Sequence, residues 1–178
     1  MKHPFSQFSF CPVCGGKSFE VNNSKSKKCG SCGFVYYFNP SSSVVAFIFN
    51  ANGELLVCRR ANEPEKGTLD LPGGFTDMHE TAEIAIRREI KEELNLEIDS
   101  LSYQFSLPNI YVYSGFEVHT LDLFFKCDVS SFDNMKVADD VSDAYFLSLN
   151  DINPKDFGLL SIRKAVEMLL KKHHLTNS

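Results

Sequence analysis

Residues 44–49, Val-Val-Ala-Phe-Ile-Phe, form an unbroken apolar run of the length of a buried strand. Asn50-Ala51-Asn52-Gly53 reads as a turn. Leu55–Arg60 returns as a second strand, so the two runs predict a hairpin. A polar loop follows at Asn62–Gly67, and Thr68–Leu71 is short and extended, ended by Pro72. The period then changes. Ile86, Ile90 and Leu94 recur at i, i+4, i+8 and predict one docked helix. Beyond it, Leu101–Leu107, Tyr111–Tyr113 and Val118–Cys127 read as strands, Ser130–Asp140 as a polar loop and Ala144–Leu149 as a last strand. Leu159, Ile162, Val166, Leu169 and Leu170 return at helical spacing and predict a helix over Leu159–His173. The sum is an α+β body, a mixed sheet with two principal helices.

The first helix carries an unusual group of acids. With about 100° per residue, Glu93 falls near +40° and Glu92 near −60° of Glu89, so all three share one face beside the apolar stripe. Glu83, Arg87 and Lys91 follow one another at i, i+4 on the far side, acid before base, as a solvated face does. The salt-bridged surface is therefore already accounted for. Three partly desolvated carboxylates without a counter-charge are costly, and a hard divalent cation such as Mg²⁺ takes oxygen ligands of this kind. Asn95 follows where a left-handed cap is needed; glycine is usual there and asparagine is the next choice.

Charge divides the chain. The 178 residues carry a formal −5. Residues 1–40 hold five lysines (Lys2, Lys17, Lys25, Lys27, Lys28) against Glu20 alone, a net +4 that leaves −9 for the rest. The acidic body argues against general nucleic-acid binding there. No apolar run approaches the roughly 20 residues of a membrane span, and no basic-then-apolar leader opens the chain, so a cytoplasmic protein is expected.

The basic head contains Cys11, Cys14, Cys29 and Cys32 in the pattern C-x2-C-x14-C-x2-C, each pair followed by glycine. Two such turns bring four thiolates together, the donor set of a closed tetrahedral zinc site. Two disulfides or redox pairs are the other readings; spaced pairs in a chain without a secretion signal favour zinc. Zinc also explains how so short a segment with few aliphatic residues folds. Phe38-Asn39-Pro40-Ser41-Ser42-Ser43 marks the seam, giving a zinc ribbon over 1–39 and a larger domain over 40–178. Cys58 and Cys127 lie in apolar strands and are expected to be plain buried thiols.

The central helix resembles the Nudix box, G-x5-E-x7-R-E-U-x-E-E-x-G-U with U apolar. Gly74, Glu80, Arg88, Glu89, Ile90, Glu92, Glu93 and Leu96 fill it in register, and Asn95 stands where the family has glycine. Leu71-Pro72-Gly73 before the box and Arg59-Arg60-Ala61 upstream are also similar to the family. The resemblance implies a Nudix α/β/α sandwich and a hydrolase that cleaves the pyrophosphate of a nucleoside diphosphate linked to another moiety. By motif position it implies Glu92 and Glu93 as ligands of Mg²⁺ or Mn²⁺, and Glu89 as a ligand or the general base. The resemblance further implies that the Gly73 carbonyl joins that shell and that Arg88 and Glu80 pair to hold the loop on the helix. Asp140 resembles an additional acid that related hydrolases place before an aromatic-ended strand.

A zinc head on such a domain resembles the NADH pyrophosphatase architecture. Those proteins carry an SQPWPFP-type array after the box. Here the stretch reads Gln104-Phe105-Ser106-Leu107-Pro108-Asn109-Ile110-Tyr111-Val112-Tyr113, and the chain has no tryptophan. Arg60, Tyr111, Tyr113 and Phe116 are the candidate substrate contacts, since stacking on a base needs a planar partner. ADP-ribose, NADH- or FAD-type dinucleotides and nucleotide sugars are the candidate substrates. The resemblance allows a homodimer. The competing class is a nucleotide-sensing or nucleic-acid-binding regulator that uses the basic ribbon; the intact Glu89/Glu92/Glu93 set favours the enzyme.

Overall fold

The computed structural model describes residues 3–176. The chain divides into two compact units, Met1–Pro40 and Ser41–Ser178. The first holds β1 (Phe19–Asn23), β2 (Ser26–Cys29) and β3 (Val35–Tyr37) in one antiparallel sheet of that order. Its interior is small: Cys11, Phe19 and Cys29 are buried with Phe34 packed on them. Phe5 adds an aromatic cluster, stacked on Tyr36 at 4.8 Å and edge-on to Phe8 and Phe38. So little aliphatic surface is a thin basis for a unit this size, which is where a metal cross-link helps most.

The second unit contains β4 (Ser41–Ile48), β5 (Leu55–Arg60), β6 (Leu69–Asp70), β7 (Gly73–Phe75), α1 (Ala82–Leu94), β8 (Ser100–Tyr113), β9 (Phe116–Asp128), β10 (Val141–Leu147) and α2 (Leu160–Thr176). One mixed sheet runs β7-β4-β9-β8, with β4 and β9 parallel; an antiparallel sheet runs β10-β5-β6. Strand alternation explains why the central runs are apolar throughout. Val44, Ala46 and Ile48 pack toward Ile86, Ile90 and Leu94 of α1, whereas Val45 and Phe47 pack toward Ile162 and Val166 of α2. Leu56 and Cys58 of β5 share the α1 side, and Leu55 and Val57 the α2 side. The body is an α/β/α sandwich, as expected, and Cys58 and Cys127 are free, buried thiols. Among the described residues no helix is long and apolar enough to cross a membrane.

Two sequence expectations change. The Asn50–Gly53 turn forms, with Asn50 Oδ1 accepting from the N–H groups of Asn52 and Glu54. Yet β4 and β5 are not a hairpin: they meet only at the Phe49–Leu55 bridge and then enter different sheets. The reason is that β7 and β9 take both edges of β4. Second, the two strands expected before and after Pro108 are one 14-residue strand. Proline is tolerated because β8 is the edge of its sheet, where a missing N–H donor breaks no ladder.

Candidate active site

α1 is held at both ends. Thr81 caps its start, its hydroxyl accepting from the Ile84 N–H, and Asn95 closes it at φ 53° and ψ 33°, donating its N–H to Ile90 and Lys91 carbonyls. The left-handed cap expected at Asn95 is present, and the Asn95 side chain adds a bond to the Asn134 carbonyl at 3.0 Å. The helix is thereby fixed with its carboxylates facing β7. Glycine is required on that strand. A Cβ at Gly73 would sit 2.1 Å from the Val44 carbonyl oxygen, and one at Gly74 would sit 2.6 Å from the Glu89 carboxylate.

Glu93 is 5% exposed and its carboxylate accepts one hydrogen bond, from the Gly73 N–H at 3.0 Å. Burial pushes its carboxyl up to about 8, Glu89, Asp70 and Asp140 push the same way, and the Gly73 bond only partly opposes them. Burial raises Glu89 as well, against the pull of Arg88. Arg88 is the hub of the cluster. Its guanidinium donates to both oxygens of Glu80 at 2.8 and 2.9 Å, to the Phe75 carbonyl at 2.9 Å, to Glu89 at 2.8 Å and to Glu92 at 3.0 Å. The Arg88 bonds and the Asp77 N–H hold Glu80 down to about 2. One arginine thus ties the loop, β7 and two helix carboxylates together.

These groups line a cavity of about 320 Å³ that also reaches Asp139, Asp140, Arg60, Asp70 and Tyr111. Asp140 accepts from Asn62 Nδ2 at 2.7 Å and lies at the exposed side of the cavity. Arg60 donates to Asp70 at 2.5 Å and to the Pro64 carbonyl at 2.7 Å. Tyr111 is half-buried on the cavity wall. Tyr113 and Phe116 face each other across the β8–β9 turn, outside the cavity lining. The cavity is also lined by Asn109, from the stretch Gln104–Tyr113 already set beside the family's array, and by Asp70, Asp122, Thr120 and Ser43, which the sequence did not single out. The one available signal was Asp122, an acid inside the otherwise strand-like run Val118–Cys127.

Donor chemistry separates two metal candidates. In the first unit the Sγ atoms of Cys11 and Cys32 are 3.7 Å apart and those of Cys14 and Cys29 are 3.6 Å apart. A tetrahedron with Zn–S bonds of about 2.3 Å has an edge of about 3.8 Å, so the four sulfurs fit zinc and are too far apart for disulfides. Among the described residues they are the one group of three or more such side chains whose ligand atoms all lie within 4.8 Å. The glutamates are not gathered that tightly, because Arg88 stands between Glu89 and Glu92. They nonetheless fit a hard cation. The set is all oxygen, the Glu93 carboxylate is buried with a single donor, and the Glu92 side chain is 49% exposed with one recorded partner, Arg88.

Residues 39–167 match the NUDIX domain. An ADP-ribose pyrophosphatase of Methanocaldococcus jannaschii is 36% identical over 118 residues, 65% of this chain and 66% of that protein. An NAD-capped RNA hydrolase NudC of Vibrio atlanticus is 30% identical over 60% of this chain and 39% of its own length. The chain thus spans under two thirds of either relative. Among solved structures, a NUDIX hydrolase from Nitrosomonas europaea aligns over 93% of this chain and 92% of its own, with a TM-score of 0.72 at 21% identity. The NUDIX domain of Shewanella oneidensis NrtR, crystallised with ADP ribose, aligns over 78% of this chain and 90% of its own, with a TM-score of 0.61 at 19% identity. Since the domain match runs from the start of the second unit through both of its sheets and into α2, the chain belongs to the NUDIX family.

Proposed function

We propose that the second unit is a divalent-cation-dependent pyrophosphohydrolase that splits ADP-ribose, or a dinucleotide sharing its ADP half, into two phosphomonoesters by attack of water on phosphorus. The observation that carries this reading is the buried Glu93 carboxylate, raised to about 8, which with Glu89 and Glu92 lines a cavity sized for a nucleotide. The likeness to the ADP-ribose pyrophosphatase of Methanocaldococcus jannaschii supports it.

Glu92, Glu93 and the Gly73 carbonyl are assigned to hold Mg²⁺ or Mn²⁺, with Glu89 as a further ligand or the base that takes the proton of water. The bound cation polarises phosphoryl oxygens and lowers the pKa of coordinated water. Arg88, clamped by Glu80, positions Glu89 and Glu92. Asp140 faces the same opening and is a second candidate to receive the proton. Arg60, fixed by Asp70 and the Pro64 carbonyl, presents a guanidinium edge suited to a phosphate or ribose oxygen. The four cysteines are assigned to one structural zinc, which makes 1–39 a zinc ribbon and 40–178 the catalytic domain. A cytoplasmic setting, where such nucleotides occur, suits this reading. The experiment that tests it is a panel of ADP-ribose, NADH, FAD, a nucleotide sugar and NAD-capped RNA, with Mg²⁺ and product masses. AMP plus ribose phosphate from ADP-ribose supports the reading; no cleavage of any member removes it.

A further inference from the structure

A buried polar lane crosses the sheet face of the cavity away from the acidic helix. Asn109 of β8 stands opposite Thr120 of β9, and Ser43 of β4 stands opposite Asp122 of β9. Asp122 is buried and accepts from three hydroxyls: Ser43 and Thr120 donate to Oδ1, and Ser161 from the first turn of α2 donates to Oδ2. A hydroxyl has one proton, so Thr120 has none left for its cross-strand neighbour. Asn109 is 4% exposed, lines the cavity, and its Oδ1 is the one buried side-chain oxygen or nitrogen among the described residues with no hydrogen-bond partner. An unpaired buried amide oxygen is expensive and native chains seldom keep one without a use.

We propose that Asn109 is a specificity-determining residue that reads the amino edge of an adenine ring. An asparagine amide carries a donor beside an acceptor, and the 6-amino group of adenine beside a ring nitrogen presents the complement, a two-bond pair. Tyr111, two residues along β8, projects from the same face and supplies the ring wall. Leu159 and Ile162 supply the apolar wall opposite. Guanine and hypoxanthine carry an oxygen at position 6 and cannot donate there. This inference rests on the reading of the cavity as a nucleotide site, and it adds which base is selected and by which atom.

The test uses binding, apart from turnover. Calorimetry compares AMP with purine riboside 5′-monophosphate, which lacks only the 6-amino group, on the full chain and on Asn109→Leu. Leucine has nearly the same shape and asks for no partner; Asn109→Ala serves the same readout if the leucine variant does not fold. The wild-type chain is expected to bind AMP about tenfold or more tightly over the analogue, and the variant to bind the two within about twofold. No preference in the wild type, or a preference that survives both substitutions, overturns the assignment. Hydrolysis of ADP-ribose is scored separately. A chain that prefers AMP but cleaves no pyrophosphate keeps the base reader and loses the enzyme. A chain that cleaves ADP-ribose with no base preference does the reverse.

Discussion

The main-chain N–H of Gly73 donates to Oε2 of Glu93 at 3.0 Å, joining β7 to the last turn of α1. Among the described residues it is the single hydrogen bond recorded to the Glu93 carboxylate, which burial has raised to about 8. The pair makes the helix carboxylates part of the sheet's edge and leaves one of them short of positive charge.

Glu93 should therefore govern how the metal-free protein responds to pH. Its folded value of about 8 lies above the ordinary 4.5. Between those limits the folded chain holds one proton more than the unfolded chain, so stability falls as pH rises from about 5 to 8 and levels off above. The limiting slope for one group is about 1.4 kcal/mol per pH unit. Urea denaturation in EDTA across that range is expected to show the decline, and Glu93→Gln is expected to flatten it. Mg²⁺ binding at pH 7 should correspondingly release close to one proton, read by calorimetry in buffers of different ionisation heat.

The Arg88–Glu80 clasp titrates in the opposite sense. Glu80 is held down to about 2 by Arg88, so what it adds to stability is complete above its ordinary 4.5 and is lost as pH falls through about 2. Glu80→Gln should remove that acid-limb sensitivity. Because the Glu80 carboxylate, among the described residues, is hydrogen-bonded to Arg88 and the Asp77 N–H, the variant should lose turnover through misplaced Glu89 and Glu92. A fall in kcat of about tenfold with a higher Mg²⁺ requirement is expected; unchanged Mg²⁺ dependence contradicts the positioning role.

Asn95→Gly restores the residue the Nudix box carries at this place. Glycine relieves the left-handed backbone at φ 53° but gives up the bond to the Asn134 carbonyl. The two nearly cancel, and the net change should stay within about 0.5 kcal/mol. Asn95→Ala loses both advantages and should cost about 1 kcal/mol. Denaturation midpoints decide it.

One zinc per chain is expected in protein purified reduced. It should persist through mild EDTA treatment that reversibly removes Mg²⁺-dependent turnover, because four thiolates at tetrahedral spacing form a closed site. Metal analysis that finds no zinc contradicts the ribbon assignment.

The legible parts of the chain were those written in local period and capping. Ile86, Ile90 and Leu94 gave the helix its docking side, and with it the placement of Glu89, Glu92 and Glu93. Asn95 announced its left-handed cap. Pairing was less legible. The run Val44–Phe49 is apolar on both faces, and such a run names no neighbour, so its separation from Leu55–Arg60 into another sheet could not be read. Pro108 looked like a strand break because the edge position of β8 is a tertiary fact. The polar lane was least visible. Ser43, Asn109, Thr120 and Asp122 are scattered over three strands, and only their register brings them to one wall. Tyr111 and Tyr113 have the same parity on β8, but only the former stands over the cavity; the latter lies beside the turn.

The most direct test of the central claim is steady-state cleavage of ADP-ribose by Glu93→Gln at saturating Mg²⁺, with folding verified by its denaturation midpoint. The substitution keeps the shape of the side chain and its bond from Gly73 while removing the charge that the cation requires. The account predicts a folded variant with turnover reduced by about a hundredfold or more. Turnover near that of the wild-type chain would contradict it.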